Sequence, residues 1–349
     1  MALPLLSTIT GLRRGWHIAD PVVRLRALET DEIYLLPDPR ERGDTILGSD
    51  ASNHLRLHDP SGSLSGHHAY LAWDGERWRM RDLGSKNGLW IDGFRRRTIE
   101  LVPGLEIGIG GLTLLAESAG LLQLRALAAR LIGWSPDRRH DIDRALRGLR
   151  DAAQLRASLV LCGEGDLVPI AHRLHRETLG LERPFVACGR GDRACDLLRP
   201  AADGTLCASV LEPPDDLADA IHALVTGASL ARLVLCAPDV RDASSLGVLL
   251  GPTIWLELPS LLVRRAEIPR ILVEAAGDAA AELEQPFAPL RTGDIELLSG
   301  EPFEGLADVH AASYRLVALR TLGIRSGAAR LGITPGALSR WARRRGLSA

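Results

Sequence analysis

Two short stretches, Ser65-Gly66-His67-His68 and Asp82-Leu83-Gly84-Ser85-Lys86-Asn87-Gly88, restrict the fold of this chain more than any other part of it. Each places small polar side chains beside glycine at one end of a short apolar run. After the second, Trp90-Ile91-Asp92-Gly93 opens a further hairpin. Such groups collect at one end of a sheet, where loops meet a partner.

The surrounding pattern supports this. Val22 to Leu28, Glu32 to Leu36, Thr45 to Leu47, Leu55 to Leu57, His68 to Trp73 and Trp78 to Leu83 are short apolar or alternating runs. Ile99 to Leu101, Glu106 to Gly108 and Leu112 to Leu115 continue the series. Many short strands without a helical period between them predict an all-β sandwich over residues 20–118.

This region resembles the forkhead-associated (FHA) family. Gly48 stands at the glycine of that family's G-R pair, and Ser65 and His68 stand in its S-R-x-H motif. Asp82 to Gly93 follow D-L-x-S-x-N-G-T-x-V-N-G, and Leu101, Gly104 and Ile107 to Gly110 resemble L-x-x-G-D-x-I-x-I-G. The resemblance implies a sandwich that binds phosphothreonine peptides through its loops. It makes Ser65, Ser85, Lys86 and Asn87 the peptide-binding residues and His68 a packing residue that braces them. Two departures bear on affinity: Ser49 replaces the arginine after the first glycine, and Gly66 replaces the basic residue after the binding serine. A hydrogen bond to a charged group contributes about 1.5–3 kcal/mol. The expectation is therefore either a weakened phosphate reader or a sandwich that docks a protein without reading phosphate.

The chain holds 42 basic and 44 acidic side chains, so as a whole it is no polyanion binder, although a local basic patch is compatible with that balance. No apolar run is long enough to cross a bilayer, and Met1 to Thr10 lack the pattern of a secretory signal. Five cysteines between Cys162 and Cys236 form no C-x-x-C pair. Buried thiols in a reducing cytoplasm, with no metal and no cofactor, are the expected reading.

Beyond residue 118, Leu121 to Ile132 and Ile142 to Leu155 read as helices, and Leu159 to Cys162 as a buried strand. Gly163-Glu164-Gly165 and a helix from Leu167 then give the layout of a nucleotide-binding βα unit. Residues 119–300 resemble the AAA+ module of bacterial NtrC-like activators. The likeness runs through Gly163-Glu164, His172-Arg173-Leu174, Arg183 to Val186, Ala202 to Leu206, Ala231 to Val234 and Leu258 to Pro269. The chemistry of that family is missing. The loop Gly163 to Pro169 has no lysine and carries Glu164 and Asp166 where phosphate would sit. Cys207 to Val210 replace the second acidic motif, the sigma-factor loop has no counterpart, and Asp308 falls where a sensing arginine is expected. A pseudo-ATPase is expected. Asp192, Asp203 and Glu267 read as solvated surface charge, and Arg264 and Arg265 as surface charge at a helix entry or a subunit contact.

Residues 301–349 read as helices. Val309 to Arg320 and Ser326 to Leu331 precede a turn at Gly332-Ile333-Thr334, and Thr334 caps a helix that begins at Pro335. Leu338, Trp341 and Ala342 share an inward side, expected against Ala329 and Leu331, while Arg340, Arg343 and Arg344 share the other. The segment Ser326 to Leu338 resembles the Fis-like helix-turn-helix of the same activators, with Gly327 in place of an alanine. The resemblance implies double-stranded DNA as partner, with Thr334, Arg340, Arg343 and Arg344 at the contact and a homodimer needed for useful affinity. The combined expectation is a non-enzymatic transcriptional regulator. Its rival is an FHA-based adaptor with no direct DNA role.

Overall fold

The computed structural model describes residues 16–247, 249–251, 253–286 and 290–347, so the expectation placed on Met1 to Thr10 lies outside the described residues. The chain divides into two compact units, with the boundary between Leu127 and Ala128.

In the first unit the strands are β1 (Val22–Ala27), β2 (Ile33–Leu35), β3 (Asp44–Gly48), β4 (Leu55–Arg56), β5 (Ala69–Trp73) and β6 (Trp78–Asp82). Then come β7 (Leu89–Ile91), β8 (Phe94–Arg96), β9 (Thr98–Glu100), β10 (Glu106–Ile109) and β11 (Leu112–Ser118). They form two sheets, ordered β2-β1-β11-β10-β7-β8 and β4-β3-β5-β6-β9. Alternation explains the packing: on β6, Trp78 and Met80 are buried while Arg79 and Arg81 face out. Leu25, Leu47, Leu71, Leu89, Ile107 and Leu114 join them in a single core, as expected of a sandwich. The β3–β4, β4–β5 and β6–β7 loops carry the polar motifs.

A helix, α1 (Ala119–Ile132), runs across the boundary. The second unit begins with α2 (Arg139–Leu155), β12 (Ser158–Cys162), α3 (Val168–Leu179), β13 (Phe185–Cys188), α4 (Ala194–Leu197) and β14 (Thr205–Ser209). It continues through α5 (Leu217–Val225), β15 (Arg232–Ala237), α6 (Val240–Gly247) and β16 (Thr253–Glu257). The five strands are all parallel, in the order β13-β14-β15-β12-β16. Every residue of β12 and β15 is buried, which is what helices on both faces of a parallel sheet require. Cys162, Cys188, Cys207 and Cys236 are buried free thiols, and Cys195 is half-buried.

The remaining helices are α7 (Ile268–Glu282), α8 (Thr292–Ser299), α9 (Leu306–Arg330) and α10 (Pro335–Arg344). Ala276, Ala279, Ala280 and Leu283 of α7 and the following turn pack on Val317 and Ala318 of α9, so the last helices share a core with what precedes them. Helix α9 is two helices joined at Gly323, whose φ of 72° breaks the hydrogen-bond ladder. Among the described residues no helix is long and apolar enough to cross a membrane.

Candidate functional site

His68 organises the loop end of the sandwich. It is fully buried at the start of β5. Its Nδ1 lies 3.1 Å from the Ser65 N–H, and its Nε2 lies 3.1 Å from the Gly88 carbonyl. The amide can only donate and the carbonyl can only accept, so the ring is neutral with its proton on Nε2. Burial pushes its pKa below the usual histidine value. One imidazole thereby ties the β4–β5 loop to the β6–β7 loop.

Across that tie, the Lys86 N–H donates to Ser65 Oγ at 3.1 Å. Ser65 is half-exposed, and its hydroxyl proton has no partner among the described residues. Asn87 Nδ2 donates to the Ser63 carbonyl at 2.7 Å, which holds this half-exposed side chain beside Ser65. The Lys86 side chain is exposed, and its ammonium pairs with no carboxylate among the described residues. Three of the four expected peptide-binding residues thus share one open surface.

Ser85 is placed differently. It is 8% exposed, donates from Oγ to Asp82 Oδ1 at 2.6 Å and accepts the Gly88 N–H at 2.9 Å. Its hydroxyl builds the turn and faces away from solvent. The backbone around it needs glycine: at Gly88, φ is +75° and a Cβ would stand 2.2 Å from Arg95 Nε.

The wall formed by residues 48–66 holds both departures from the family pattern, Ser49 and Gly66. Gly48 packs so closely that a Cβ there would lie 2.1 Å from the Gly66 carbonyl oxygen. Ser49 donates inward, from Oγ to the Leu64 carbonyl at 3.3 Å. Asn53, unnoticed in the sequence, holds the Gly66 carbonyl at 2.6 Å and meets His67 Nδ1 at 2.6 Å. Asp59 gathers the N–H groups of Ser61, Ser63 and Gly111. Its Asp-Pro-Ser-Gly context was a turn signal that pointed to it.

The family profile of the FHA domain matches residues 45–110. Residues 45–110 form an FHA domain. A domain solved in a structural and functional analysis of phosphothreonine-dependent FHA interactions is 24% identical, over 28% of this chain and 96% of that one, with a TM-score of 0.25. Mycobacterium tuberculosis EmbR, in complex with a low-affinity phosphopeptide, is 24% identical over 28% of this chain and 24% of its own length, with a TM-score of 0.25. The first FHA domain of Rv1747 from the same organism is 25% identical over 29% of this chain and all of that one, with a TM-score of 0.23. No curated protein matches the chain.

A second glycine loop follows β12. Glu164 accepts from Ser260 Oγ at 2.8 Å. Asp166 accepts the Val168 N–H at 3.0 Å, which puts a carboxylate of the chain itself at the α3 N-terminus, where an anion would bind. Gly305 presses on the loop, and a Cβ there would stand 2.3 Å from the Glu164 carbonyl oxygen. What remains is a cleft of about 10 Å³ beside Ile170, Leu258 and Leu306, room for about one water. Asp308, in the expected place of an arginine, accepts the N–H groups of Glu304 and Gly305 and so caps α9. Arg264 is a correction. It is 5% exposed and donates to the Arg130 and Leu131 carbonyls, closing the end of α1, with Glu267 as its ion partner at 2.8 Å. Asp203 pairs with Arg156 at 2.9 Å.

At the far end of the chain, Thr334 Oγ1 accepts the Ala337 N–H at 3.2 Å and caps α10. Leu338 and Ala342 are buried, and Arg340, Arg343 and Arg344 are exposed. Ala329, expected to face inward, is exposed, whereas Ala328 is buried. Gly327 replaces an alanine because a Cβ there would lie 2.8 Å from the Ala318 carbonyl oxygen. Residues 309–349 contain eight arginines and no aspartate or glutamate. Two of the eight have outside partners, Arg320 with Asp294 and Arg345 with Glu301.

Proposed function

We propose that this protein is a non-enzymatic regulator that recognises a phosphothreonine-bearing protein through its FHA domain and double-stranded DNA through its last helices. The observation that carries the first half is the open surface of Ser65, Lys86 and Asn87, held by the neutral His68. A hydroxyl donor, an unpaired ammonium and an amide on a preorganised loop suit a phosphorylated side chain and its backbone. The absent arginine at position 49 lowers the expected affinity without closing the site. Calorimetry with phosphothreonine peptides and their unphosphorylated twins tests it, and equal affinity for both members of every pair would overturn the phosphate reading.

The DNA half is supported by the capped α10, its exposed arginines and the absence of acidic residues from 309–349. Affinity for duplex DNA should fall steeply as salt rises, and deletion of residues 309–349 should abolish it. An FHA-based adaptor is the reading that replaces this one if DNA binding is absent.

The central unit supplies a scaffold and no ATP turnover. The lysine-free loop, its two carboxylates and the contact with Gly305 support this. Turnover that copurifies with the chain and is lost when Gly163 to Asp166 are altered would contradict it.

A further inference from the structure

The charge of the FHA loop end is divided between two walls. On the wall of residues 48–66, position 49 holds a serine in place of the family's arginine, and Asp50 comes close: a Cβ at Gly66 would lie 3.6 Å from Asp50 Cβ and 3.9 Å from its Oδ2. Hydrogen bonds from the Ser52 N–H and hydroxyl hold that carboxyl below its usual pKa, so Asp50 places a negative charge beside Gly66 at neutral pH. On the other wall stand Lys86 and a residue the sequence reading passed over, Arg95.

Arg95 belongs to β8 and pairs with Trp90 across the hairpin. That register lays its side chain over Gly88, where only a hydrogen occupies the place of a Cβ. Its Nη2 reaches the Ser85 carbonyl at 3.4 Å, a contact at the weak end of the hydrogen-bond range. The carbonyl of Ser85 and the N–H of Lys86 belong to one peptide group, and that N–H bonds Ser65 Oγ. The guanidinium and the binding serine thus flank a single peptide unit. Arg95 is exposed and has no carboxylate partner among the described residues.

We infer that Arg95 is a binding residue of this site, supplying from β8 the guanidinium that position 49 lacks and receiving the phosphate of the bound threonine. The inference rests on the phosphothreonine reading above. A planar fork with several donors suits phosphate oxygens better than the ammonium of Lys86 does, and the weak bond it makes now is readily exchanged for a charge-assisted one. The glycine at 88 gains a second reason: any side chain there would displace the guanidinium.

The test uses the full chain and a library of peptides centred on phosphothreonine, each with an unphosphorylated twin, read by fluorescence anisotropy. Arg95→Gln should weaken the phosphorylated members about tenfold or more and leave the twins unchanged. Arg95→Lys, which keeps the aliphatic stem over Gly88, should fall between the two. Ser49→Arg added to Arg95→Gln should restore most of the loss, showing that the variant is folded. If the unaltered chain separates phosphorylated from unphosphorylated peptides and Arg95→Gln leaves that separation intact, the assignment of Arg95 is overturned alone. If the unaltered chain makes no such separation, the phosphothreonine reading falls and Arg95 with it.

Discussion

Two loops of this chain look alike in sequence. Residues 83–88 and 163–167 each follow a strand, each holds two glycines, and each belongs to a pattern associated with phosphate. Their physical states are opposite. The first has its backbone held by groups behind it, His68, Ser85 and Asp82, and this leaves Ser65, Lys86 and Asn87 facing outward. The second is filled by the protein itself: Asp166 sits at the helix N-terminus, Glu164 bonds Ser260, and Gly305 abuts the loop. A glycine turn becomes a binding site only when its donors are left over after the fold has used what it needs. In one loop they are left over, and in the other they are consumed.

The largest expected effect breaks the closed loop. Gly305→Val would drive a Cβ to within 2.3 Å of the Glu164 carbonyl oxygen and should cost about 3 kcal/mol of stability, seen as a lower thermal midpoint. An unchanged midpoint would mean that the two segments do not touch and that the loop is free.

The second effect is one of pH. His175 and His310 have their pKa values held near 4 by burial, and His68 is lowered for the same reason. Each is neutral in the folded chain and takes up a proton on unfolding below about pH 6.5. The contribution of His175 and His310 is complete above that value and is lost as the pH falls towards 4, by about 1.4 kcal/mol per pH unit for each, and that of His68 declines in the same direction. The second unit, with His175 and His310, should weaken more steeply than the sandwich. Hydrogen exchange resolved along the full chain, at pH 7 and pH 5, checks this; equal weakening of β5 and β12 would go against it.

The pair Ser65 and Ser85 sharpens the contrast between a presented and a consumed hydroxyl. Ser65→Ala should weaken phosphopeptide binding about tenfold with little change in the thermal midpoint, whereas Ser85→Ala should lower the midpoint by removing a buried bond. If both variants lose only affinity, Ser85 is also a direct contact. The smallest effect is at the other end of the chain. Arg344→Ala should weaken binding to all DNA and lower the salt slope by about one unit, while Arg340→Ala should mainly blunt discrimination between sites. A titration across salt concentrations on a selected and a scrambled duplex separates the two.

Much of the sandwich was legible because its signals are local. Alternation on β6 and the spacing of Ser65, His68, Asn87 and Gly88 are read within a few residues. The cap at Thr334 and Pro335 is local in the same way. What escaped reading depends on contacts that the folded backbone sets, some of them between distant segments. Arg95 acquires its place only from the β7–β8 register, and Ser85 is withdrawn from the surface by Asp82 and Gly88. The approach of Gly305 to Glu164, and the burial of Arg264 under the end of α1, join residues more than a hundred positions apart, which no periodicity announces.

The contrast between the two loops can be measured in a single experiment, by mapping backbone amide shifts of the full chain as it is titrated first with blocked phosphothreonine and then with magnesium ATP. Shifts confined to residues around Ser65, Lys86, Asn87 and Arg95 with the first ligand, and none at Gly163 to Val168 with the second, are the expected result. Saturable shifts at Gly163 to Val168 with magnesium ATP, or none around Ser65 with phosphothreonine, would contradict the account.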